Sequence, residues 1–201
     1  MAMQPNARAN AAPTTWSIDP AESRAEFTIR MRMLVAPLTL HGRFSDVTGR
    51  ITLDEQQPAN SRVEARIGAA SVATGNSRRD RHLRTADFFD VERFPALQFS
   101  SERVETLDLE SGQGRISGKL SIRGVTRDVT LAMSFPPALA AGESTRLRIT
   151  ATTDLNRREV GIVWKPPVPV MGYADVARIN LTIVAVRTPD SANAAAAPAA
   201  Q

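Results

Sequence analysis

The 201-residue chain contains no cysteine and only two histidines. The absence of cysteine excludes disulfide bonds, thiol catalysis and zinc sites with cysteine ligands. Two histidines are too few for a metal site built from three imidazoles. The chain also lacks any run of about 18 apolar residues, the length that a membrane-spanning helix requires. Function classes that depend on these features are therefore not expected, and neither is a metal site.

Aromatic residues are also scarce, at 5% of the sequence, whereas 42% of all residues are hydrophobic. A large interior must therefore be built mainly from Ile, Leu, Val, Met and Ala, and aliphatic walls suit aliphatic ligands. The formal net charge is +4, and nearly all of the positive charge comes from arginine. This balance is compatible with nucleic acid, a membrane surface or an anionic head group, and does not choose among them.

The two ends of the chain have the composition of disordered segments. Residues 1–15, MAMQPNARANAAPTT, contain no apolar run of the length that a secretory signal needs, and residues 188–201 are rich in alanine and proline. We predict disorder in both segments and one domain over residues 16–187. As the sequence stands it predicts a cytoplasmic protein; the alternative is a periplasmic protein whose signal peptide has been removed.

Alternation of apolar and polar residues predicts a series of β-strands. One parity of residues 23–34 carries Ala25, Phe27, Ile29, Met31 and Met33. This pattern is typical of a half-buried strand. About eight or nine such segments, with a helical interruption only near residues 77–89, predict an all-β antiparallel sandwich or a closed barrel. Strands of ten or more residues favour an elongated antiparallel barrel with strongly tilted strands.

Small residues occupy many inward positions of the predicted strands, including Ala65, Ala69, Gly118 and Ala151. Small inward residues leave volume, and an eight-stranded barrel can hold one ligand when its interior is not filled. The alternative is a tightly packed core into which these residues fit. The residue pattern leaves both interpretations open.

The stretch RRDRHLRTADFF, residues 78–89, concentrates charge ahead of two phenylalanines. It does not have the pattern of a nucleic-acid site, because the aromatic residues follow the charges instead of alternating with them. We therefore expect no nucleic-acid partner.

A catalytic site in this stretch would use His82 with Asp80 or Asp87. Serines that could be recruited as nucleophile are Ser71, Ser77 and Ser100. No G-x-S-x-G motif is present, however, and a catalytic site needs a nucleophile or base with an orienting partner. We expect no enzyme activity, and we interpret both histidines as surface or structural residues.

The order of residues favours a short amphipathic helix that covers one end of a barrel. In this arrangement Leu83, Ala86, Phe88 and Phe89 turn inward, and the four arginines between residues 78 and 84 lie outside or at the edge. Asp80 and Arg84, four positions apart, are expected to form an ion pair on the helix surface.

Longer segments of the chain match a known family. The segments are TWSIDPAESRAEFTIRM, GRFSDVTGRITLD, ASVATGNSRRDRHLRTADFFDVERFPALQFSS, ISGKLSIRGVTRDVTLAM and LNRREVGI. In this order they resemble the bacterial YceI-like family of polyisoprenoid-binding, lipocalin-like proteins, over about residues 16 to 187. The resemblance implies an elongated, lipocalin-like eight-stranded barrel whose apolar tunnel binds a lipid with an isoprenoid or similar chain, without known catalysis.

An apolar lipid chain needs a dry, aliphatic tunnel with few polar groups. The candidate wall residues are Phe27, Ile29, Met31, Met33, Leu38, Leu40, Phe44, Val63, Ile67, Phe88, Phe89, Phe99, Leu120, Ile122, Leu131, Met133, Ile149, Leu181 and Ile183. Candidates for the polar end of the ligand are Arg32, Arg43, Arg157, Arg158, Trp164 and Lys165, since an arginine fork suits a phosphate.

The leading hypothesis is non-enzymatic binding of a polyprenyl phosphate or an isoprenoid quinone, for carriage, storage or sequestration, with no other cofactor. The alternatives are a fatty acyl or amide ligand, and a lipid-modifying hydrolase that uses His82. The expected partners are the lipid and, transiently, a membrane surface; a homodimer is left open.

Overall fold

The computed structural model describes residues 12–32, 36–136, 145–165 and 172–189. These residues form eleven antiparallel strands and one α-helix. In chain order they are β1 (Thr14–Ile18), β2 (Arg24–Arg32), β3 (Leu38–Phe44), β4 (Val47–Leu53), β5 (Arg62–Gly68), β6 (Val72–Ala73), α1 (Ser77–Arg84), β7 (Ala96–Asp108), β8 (Gln113–Ile122), β9 (Val125–Ser134), β10 (Arg146–Asn156) and β11 (Gly172–Arg187).

The sheet closes on itself, because β1 pairs with β4 along one edge and with β11 along the other. The closed order is β1, β4, β5, β7, β8, β9, β10 and β11. This confirms the expected eight-stranded antiparallel barrel, which removes the free edges that an open sheet would expose.

Three strands of the barrel wall are bent, and each continues after its bend as a separate segment. These continuations are the three strands outside the closed ring. β2 prolongs β1, since both pair with β11, and β3 pairs with β2 just as β4 pairs with β1. β6 follows β5 after a short 3-10 turn at Ala69–Ser71 and pairs with β3. These prolongations lengthen the barrel beyond its closed section at one end.

Serine side chains stabilise the bends. Between β1 and β2, the buried Ser23 hydroxyl donates to the Val184 carbonyl (3.1 Å) and accepts from the Val184 amide (2.9 Å). Between β3 and β4, the Ser71 hydroxyl oxygen accepts from the amides of Ser45 and Asp46, each at 3.2 Å. These side chains replace ladder bonds that the bent backbone does not make, so the buried polar groups stay paired.

The expected alternation is visible in β2. Ala25 and Met31 are buried, Phe27 and Ile29 are half-buried towards the interior, and Arg30 is exposed. Buried aliphatic residues of the other strands continue this interior along the barrel axis. One end, which we call the mouth, carries α1, residues 157–165 and the N-terminal part of β11. The opposite, distal end is filled by a buried cluster of Trp16, Ile51, Leu53, Phe135, Leu147 and Ala185.

The helix at the mouth is shorter than the predicted interval, since α1 ends at Arg84 and residues 85–89 form turns. Leu83 is buried and Phe88 and Phe89 are half-buried, as expected, whereas Ala86 is exposed and its predicted inward position is wrong. Asn76 caps the helix by accepting from the Arg79 amide at 3.0 Å.

The predicted ion pair between Asp80 and Arg84 is also wrong. Asp80 accepts instead from the amide and hydroxyl of Thr74, on the segment that precedes the helix. Arg84 donates to the carbonyls of Ala70 (2.9 Å) and Val72 (3.0 Å). Both side chains therefore connect α1 to the barrel. Hydrogen bonds between charged groups and the backbone contribute more to stability than an exposed ion pair on a helix does.

Strand β1 begins at Thr14, two residues before the expected start of the domain. Residues 1–11 and 190–201, where most of the predicted disorder falls, lie outside the described residues. Among the helices of the described ranges, none is long and apolar enough to cross a membrane.

Candidate functional site

The interior of the barrel contains a tunnel of three adjoining chambers. The outer chamber, about 140 Å³, lies beneath α1 at the mouth, and the inner chamber, about 120 Å³, lies deeper in the barrel. Their shared wall residues are Phe27, Phe44, Leu97, Ile122, Leu155 and Ile179. A distal chamber of about 50 Å³ shares Ile51, Val63, Ile116, Met133 and Ile149 with the inner one. The chambers therefore form one continuous series along the barrel.

The inner chamber is lined by aliphatic and aromatic residues apart from Glu26 and Thr153. Apolar cavities of about 150 Å³ stay dry and accept molecules such as benzene, whereas a water molecule needs polar partners. Each of the two larger chambers is close to this size. The inner chamber is therefore chemically suited to an apolar chain, and burial of a charged ligand group there would be costly.

Three phenylalanines separate the outer from the inner chamber. The rings of Phe27 and Phe44 are tilted with centroids 5.9 Å apart, and Phe44 meets Phe89 edge-on at 5.2 Å. Phe27 and Phe44 come from the wall, and Phe89 comes from the turn after α1. The connection between the chambers thus depends on how this turn packs against the barrel.

The mouth is ringed by a second aromatic group, consisting of His82, Phe88, Trp164 and Tyr173. His82 meets Phe88 and Trp164 edge-on, at 5.1 and 5.2 Å between centroids. Trp164 also lies 5.4 Å from Phe88 and 5.9 Å from Tyr173. All four line the outer chamber. They bring α1, residues 157–165 and β11 together around one opening.

The side chains of His82, Arg79 and Arg157 give the outer chamber a more polar lining than the other two chambers have. His82 Nε2 is 2.8 Å from the Asp87 carboxylate, and the His82 side chain is 39% exposed. Arg79 also lines the chamber, where its Nε donates to the Thr74 hydroxyl (2.7 Å) and its Nη2 to the Thr74 carbonyl (2.9 Å). The tunnel therefore has a polar end at the mouth and an apolar body.

Arg157 holds the mouth segment in place. Its guanidinium donates to the carbonyls of Ala174 (3.0 Å), Ile162 (2.7 Å) and Trp164 (3.3 Å), and Nη2 lies 3.3 Å from the Asp175 carboxylate. Burial lowers the pKa of Arg157, and the neighbouring Asp175 opposes this shift. With most of its donors engaged by the protein, Arg157 ties residues 157–165 to β11.

The structure brings most of the predicted wall residues together. In the lining of the three chambers lie Phe27, Ile29, Leu40, Phe44, Val63, Ile67, Phe88, Phe89, Phe99, Leu120, Ile122, Leu131, Met133, Ile149, Leu181 and Ile183. Met31 is buried but is not among the lining residues, and Leu38 is 44% exposed on the mouth end of β3. Met33 lies outside the described residues.

The predicted polar end is placed differently. Trp164 lies at the mouth, as does Arg157, whose donors bond to the protein itself. Arg158 pairs with Asp175 at 2.9 Å outside the tunnel, and Arg43 lies on an outer surface groove beside His41. Lys165 is exposed. For Arg32, only the backbone belongs to the described part of the chain.

Sequence reasoning missed both apolar wall residues and polar residues of the mouth. In the outer chamber the missed apolar wall residues are Leu97, Leu155, Val160, Ile162, Ala177 and Ile179. Ala177 and Ile179 share the parity of Leu181 and Ile183, so extending that alternation along β11 would have found them. Arg79 and Tyr173 carry no comparable signal, because their positions depend on how separate segments meet at the mouth.

The candidate catalytic group is only partly assembled. His82 pairs with Asp87 and not with Asp80, and neither Ser71 nor Ser100 lines the outer chamber. Ser71 donates to the Gly68 carbonyl at 2.7 Å and supports the bend between β3 and β4. Within the part of the chain that the structure describes, no three His, Asp or Glu residues form a group that could hold a metal ion.

Comparison with known proteins agrees with this architecture. The family model described as the YceI-like domain matches residues 16–185. Relatives include the UPF0312 protein plu2095 of Photorhabdus laumondii, 39% identical, and the protein YceI of Salmonella arizonae, 40% identical, each over 92 residues. These matches cover 46% of this chain and 46–47% of the relatives, so the aligned part spans less than half of their length.

Solved structures share the fold. Burkholderia cenocepacia BcnA superimposes with a TM-score of 0.69 at 18% identity, covering 83% of this chain and 98% of BcnA. A polyisoprenoid binding domain from Saccharophagus degradans, implicated in plant cell wall breakdown, gives 0.60 at 12% identity, covering 87% of this chain and 99% of that domain. The Campylobacter jejuni YceI protein gives 0.58 at 25% identity, covering 74% and 85%.

Proposed function

The chain belongs to the YceI-like domain family, and on that premise we propose that it is a non-enzymatic binding protein for a long-chain apolar lipid. The ligand class is a polyisoprenoid or an isoprenoid quinone, held with its chain in the inner chamber and its head group at the mouth. One observation carries the proposal: the three chambers form an apolar series that opens between α1 and residues 157–165 and ends at the distal cluster.

The energetics suit reversible binding. Burial of each methylene contributes about 0.8 kcal/mol relative to water, so a long prenyl chain would nominally exceed the practical limit of non-covalent affinity. The relevant reference is a bilayer, in which the chain is already out of water. Transfer between bilayer and tunnel is then close to balance, as storage or carriage requires.

The mouth favours a hydrogen-bond acceptor on the head group. Arg79, Trp164 and Tyr173 carry N–H or O–H groups and line the outer chamber. Aromatic rings at the mouth suit contact with a quinone ring, whereas a phosphate would draw mainly on Arg79. The head group is therefore expected to be an acceptor that lies within the outer chamber.

Native mass spectrometry of the purified protein, followed by organic extraction, tests this proposal. We expect a stoichiometric adduct whose extracted lipid has the regular mass increments of isoprene units. A mass that corresponds to a fatty acyl or amide compound would favour the alternative ligand over the isoprenoid. A ligand-free mass that stays unchanged when prenyl lipids and quinones are offered would contradict lipid binding.

The pairing of His82 with Asp87 at 2.8 Å at the mouth supports one second candidate, a hydrolase acting on the bound lipid. His82→Ala separates the two functions, because a hydrolase would lose turnover while a binding protein has none to lose. We expect no lipid product from the wild type, and prenyl-lipid binding by the variant close to that of the wild type. Product formation that disappears in the variant would establish the enzyme.

A further inference from the structure

We propose that the protein docks on an anionic phospholipid bilayer with its mouth end, through a surface formed by Leu38, Arg78, Arg81, Val163 and Lys165, the mouth face. The inference rests on the proposed lipid binding, and it names the surface from which the lipid is taken up. Docking in this orientation places the opening of the outer chamber against the bilayer.

The residues of the mouth face surround one opening. Val163 and Lys165 flank Trp164, whose ring contacts His82 of α1 at 5.2 Å. Arg81 is the neighbour of His82 in the sequence, and Arg78 lies one turn earlier on the exposed side of α1.

Strand register places Leu38 at the same end. Leu38 pairs with Met31, Met31 pairs with Tyr173, and the Tyr173 ring lies 5.9 Å from Trp164. The mouth face therefore joins α1, residues 163–165 and the start of β3 across the opening.

Exposed large apolar side chains concentrate at this end. In the described ranges they are Leu38, Val163, Val176 and Val186, and Val163 is the most exposed at 59%. Val176 follows Tyr173 by three residues, at the mouth end of β11, whereas Val186 pairs with Ser17 and Arg146 towards the other end of the barrel. Apolar side chains at the rim of an opening are suited to insertion at the boundary between head groups and acyl chains.

The charge of the mouth face is complementary to an anionic bilayer. Arg78, Arg81 and Lys165 are exposed, and in the described part of the chain none of them has an acidic group within ion-pair distance. Of the acids at this end, Asp87 pairs with His82 and Asp175 pairs with Arg158, whereas the exposed Glu159 accepts a hydrogen bond from Asn156. Basic residues beside a negatively charged membrane surface each strengthen binding, and this effect decreases within a Debye length.

The arginines of the same region divide into two groups. Arg79, Arg84 and Arg157 donate to backbone carbonyls and hold the mouth together. Arg78 and Arg81 make no such contacts in the described part of the chain and remain available to a partner. The arginines between residues 78 and 84 thus have two roles. Some attach α1 to the barrel, and the others present positive charge beside the mouth.

Co-sedimentation with vesicles tests the proposal. The wild type is mixed with phosphatidylcholine vesicles and with vesicles in which a quarter of the lipid is phosphatidylglycerol. We expect binding to the anionic vesicles only, and loss of binding in about 0.5 M NaCl, where the Debye length is roughly 4 Å. The variant Arg78→Gln/Arg81→Gln/Lys165→Gln is expected to bind about a hundredfold more weakly, about fivefold for each charge removed.

A matched control removes the same charge elsewhere. Arg50, Arg66 and Arg148 are exposed on the barrel wall, and Arg50→Gln/Arg66→Gln/Arg148→Gln should retain most of the binding. Equal losses in the two triple variants would contradict a specific mouth face and indicate attraction by net charge alone. A wild-type dimer that the mouth-face variant dissociates would assign this surface to a second copy and overturn the proposal.

Uptake measurements separate this inference from the proposed function. Uptake of a prenyl quinone from detergent micelles should be the same in the wild type and the mouth-face variant, whereas uptake from anionic vesicles should be slower in the variant. A wild type that takes up no quinone from micelles refutes the proposed function, whatever its vesicle binding. Normal micelle uptake with equal vesicle uptake in both proteins refutes the docking surface.

Discussion

The ring of Phe27 covers the backbone of Gly42 on the neighbouring strand. A Cβ atom at position 42 would lie 2.2 Å from Phe27 Cζ, far closer than two non-bonded carbon atoms can approach. Phe27 also lines both the outer and the inner chamber. The absence of a side chain at residue 42 therefore determines where the Phe27 ring lies and leaves the tunnel open beside it.

Gly42→Ala should move the Phe27 ring into the tunnel and reduce the uptake of prenyl lipid. Overpacking of this kind typically lowers the free energy of unfolding by about 1–3 kcal/mol. Lipid uptake and urea unfolding measure the two effects. The double variant Gly42→Ala/Phe27→Leu should recover uptake, because the smaller side chain leaves room for the new methyl group. Failure of the double variant to recover would show that Gly42 acts through the backbone.

The distal cluster is expected to limit the length of chain that the tunnel accepts. Phe135 is buried there and lines the distal chamber, so Phe135→Ala should enlarge that chamber and raise the longest prenyl chain that binds. The same change should lower the free energy of unfolding by about 3–5 kcal/mol. Competition among prenyl alcohols of increasing length measures the limit. The exposed Val186, at the same end, provides the control Val186→Ala, which should leave the limit unchanged.

Arg157 is expected to contribute to stability more than its exposed neighbour Arg158. Arg157→Gln leaves the buried carbonyl of Ile162 and the partly buried carbonyl of Ala174 without a donor, and should lower the free energy of unfolding by about 2–4 kcal/mol. Arg158→Gln removes an exposed ion pair with Asp175 and should cost less than about 1 kcal/mol. Thermal unfolding of both variants checks this order. Equal effects would mean that Arg157 does not fix the mouth segment.

Asp108, at the turn between β7 and β8, is expected to make the stability of the protein depend on pH. Its pKa is lowered from 3.8, first by the hydrogen bond from the Ser111 hydroxyl and then by the amides of Ser111 and Glu110. Because the folded-state pKa is below the unfolded one, the stabilisation is present above the unfolded value and is lost as the pH falls through the folded value.

Ser111→Ala should therefore lower the stability slightly at pH 7 and have a smaller effect in acid, below the lowered pKa of Asp108. Urea unfolding at neutral and acidic pH measures the difference. Ser121 is the control, because its hydroxyl bonds to Thr126 at the next turn and involves no carboxylate. An effect of Ser111→Ala that does not change with pH would contradict the role of the charged Asp108.

The strands were predictable because burial of one face imposes a period of two residues on the sequence. The inward residues of β2 and of the C-terminal half of β11 follow this period, and nearly all of the predicted wall residues line the chambers. Leu38 shows the limit of the rule. It has the inward parity, but it is the first residue of β3, and the described residues leave it 44% exposed.

The sequence by itself determined an antiparallel barrel with an aliphatic interior and a short helix at one end, because local alternation and composition encode which face of each strand is buried. Tertiary structure alone decided that β1 closes the barrel against β11, that His82 joins Asp87, and that Arg79 and Tyr173 reach the mouth. Some of these contacts join residues that are far apart along the chain. Others join residues for which several neighbouring side chains could serve equally well as partner. Their choice depends on the geometry of the closed barrel, which no local pattern records.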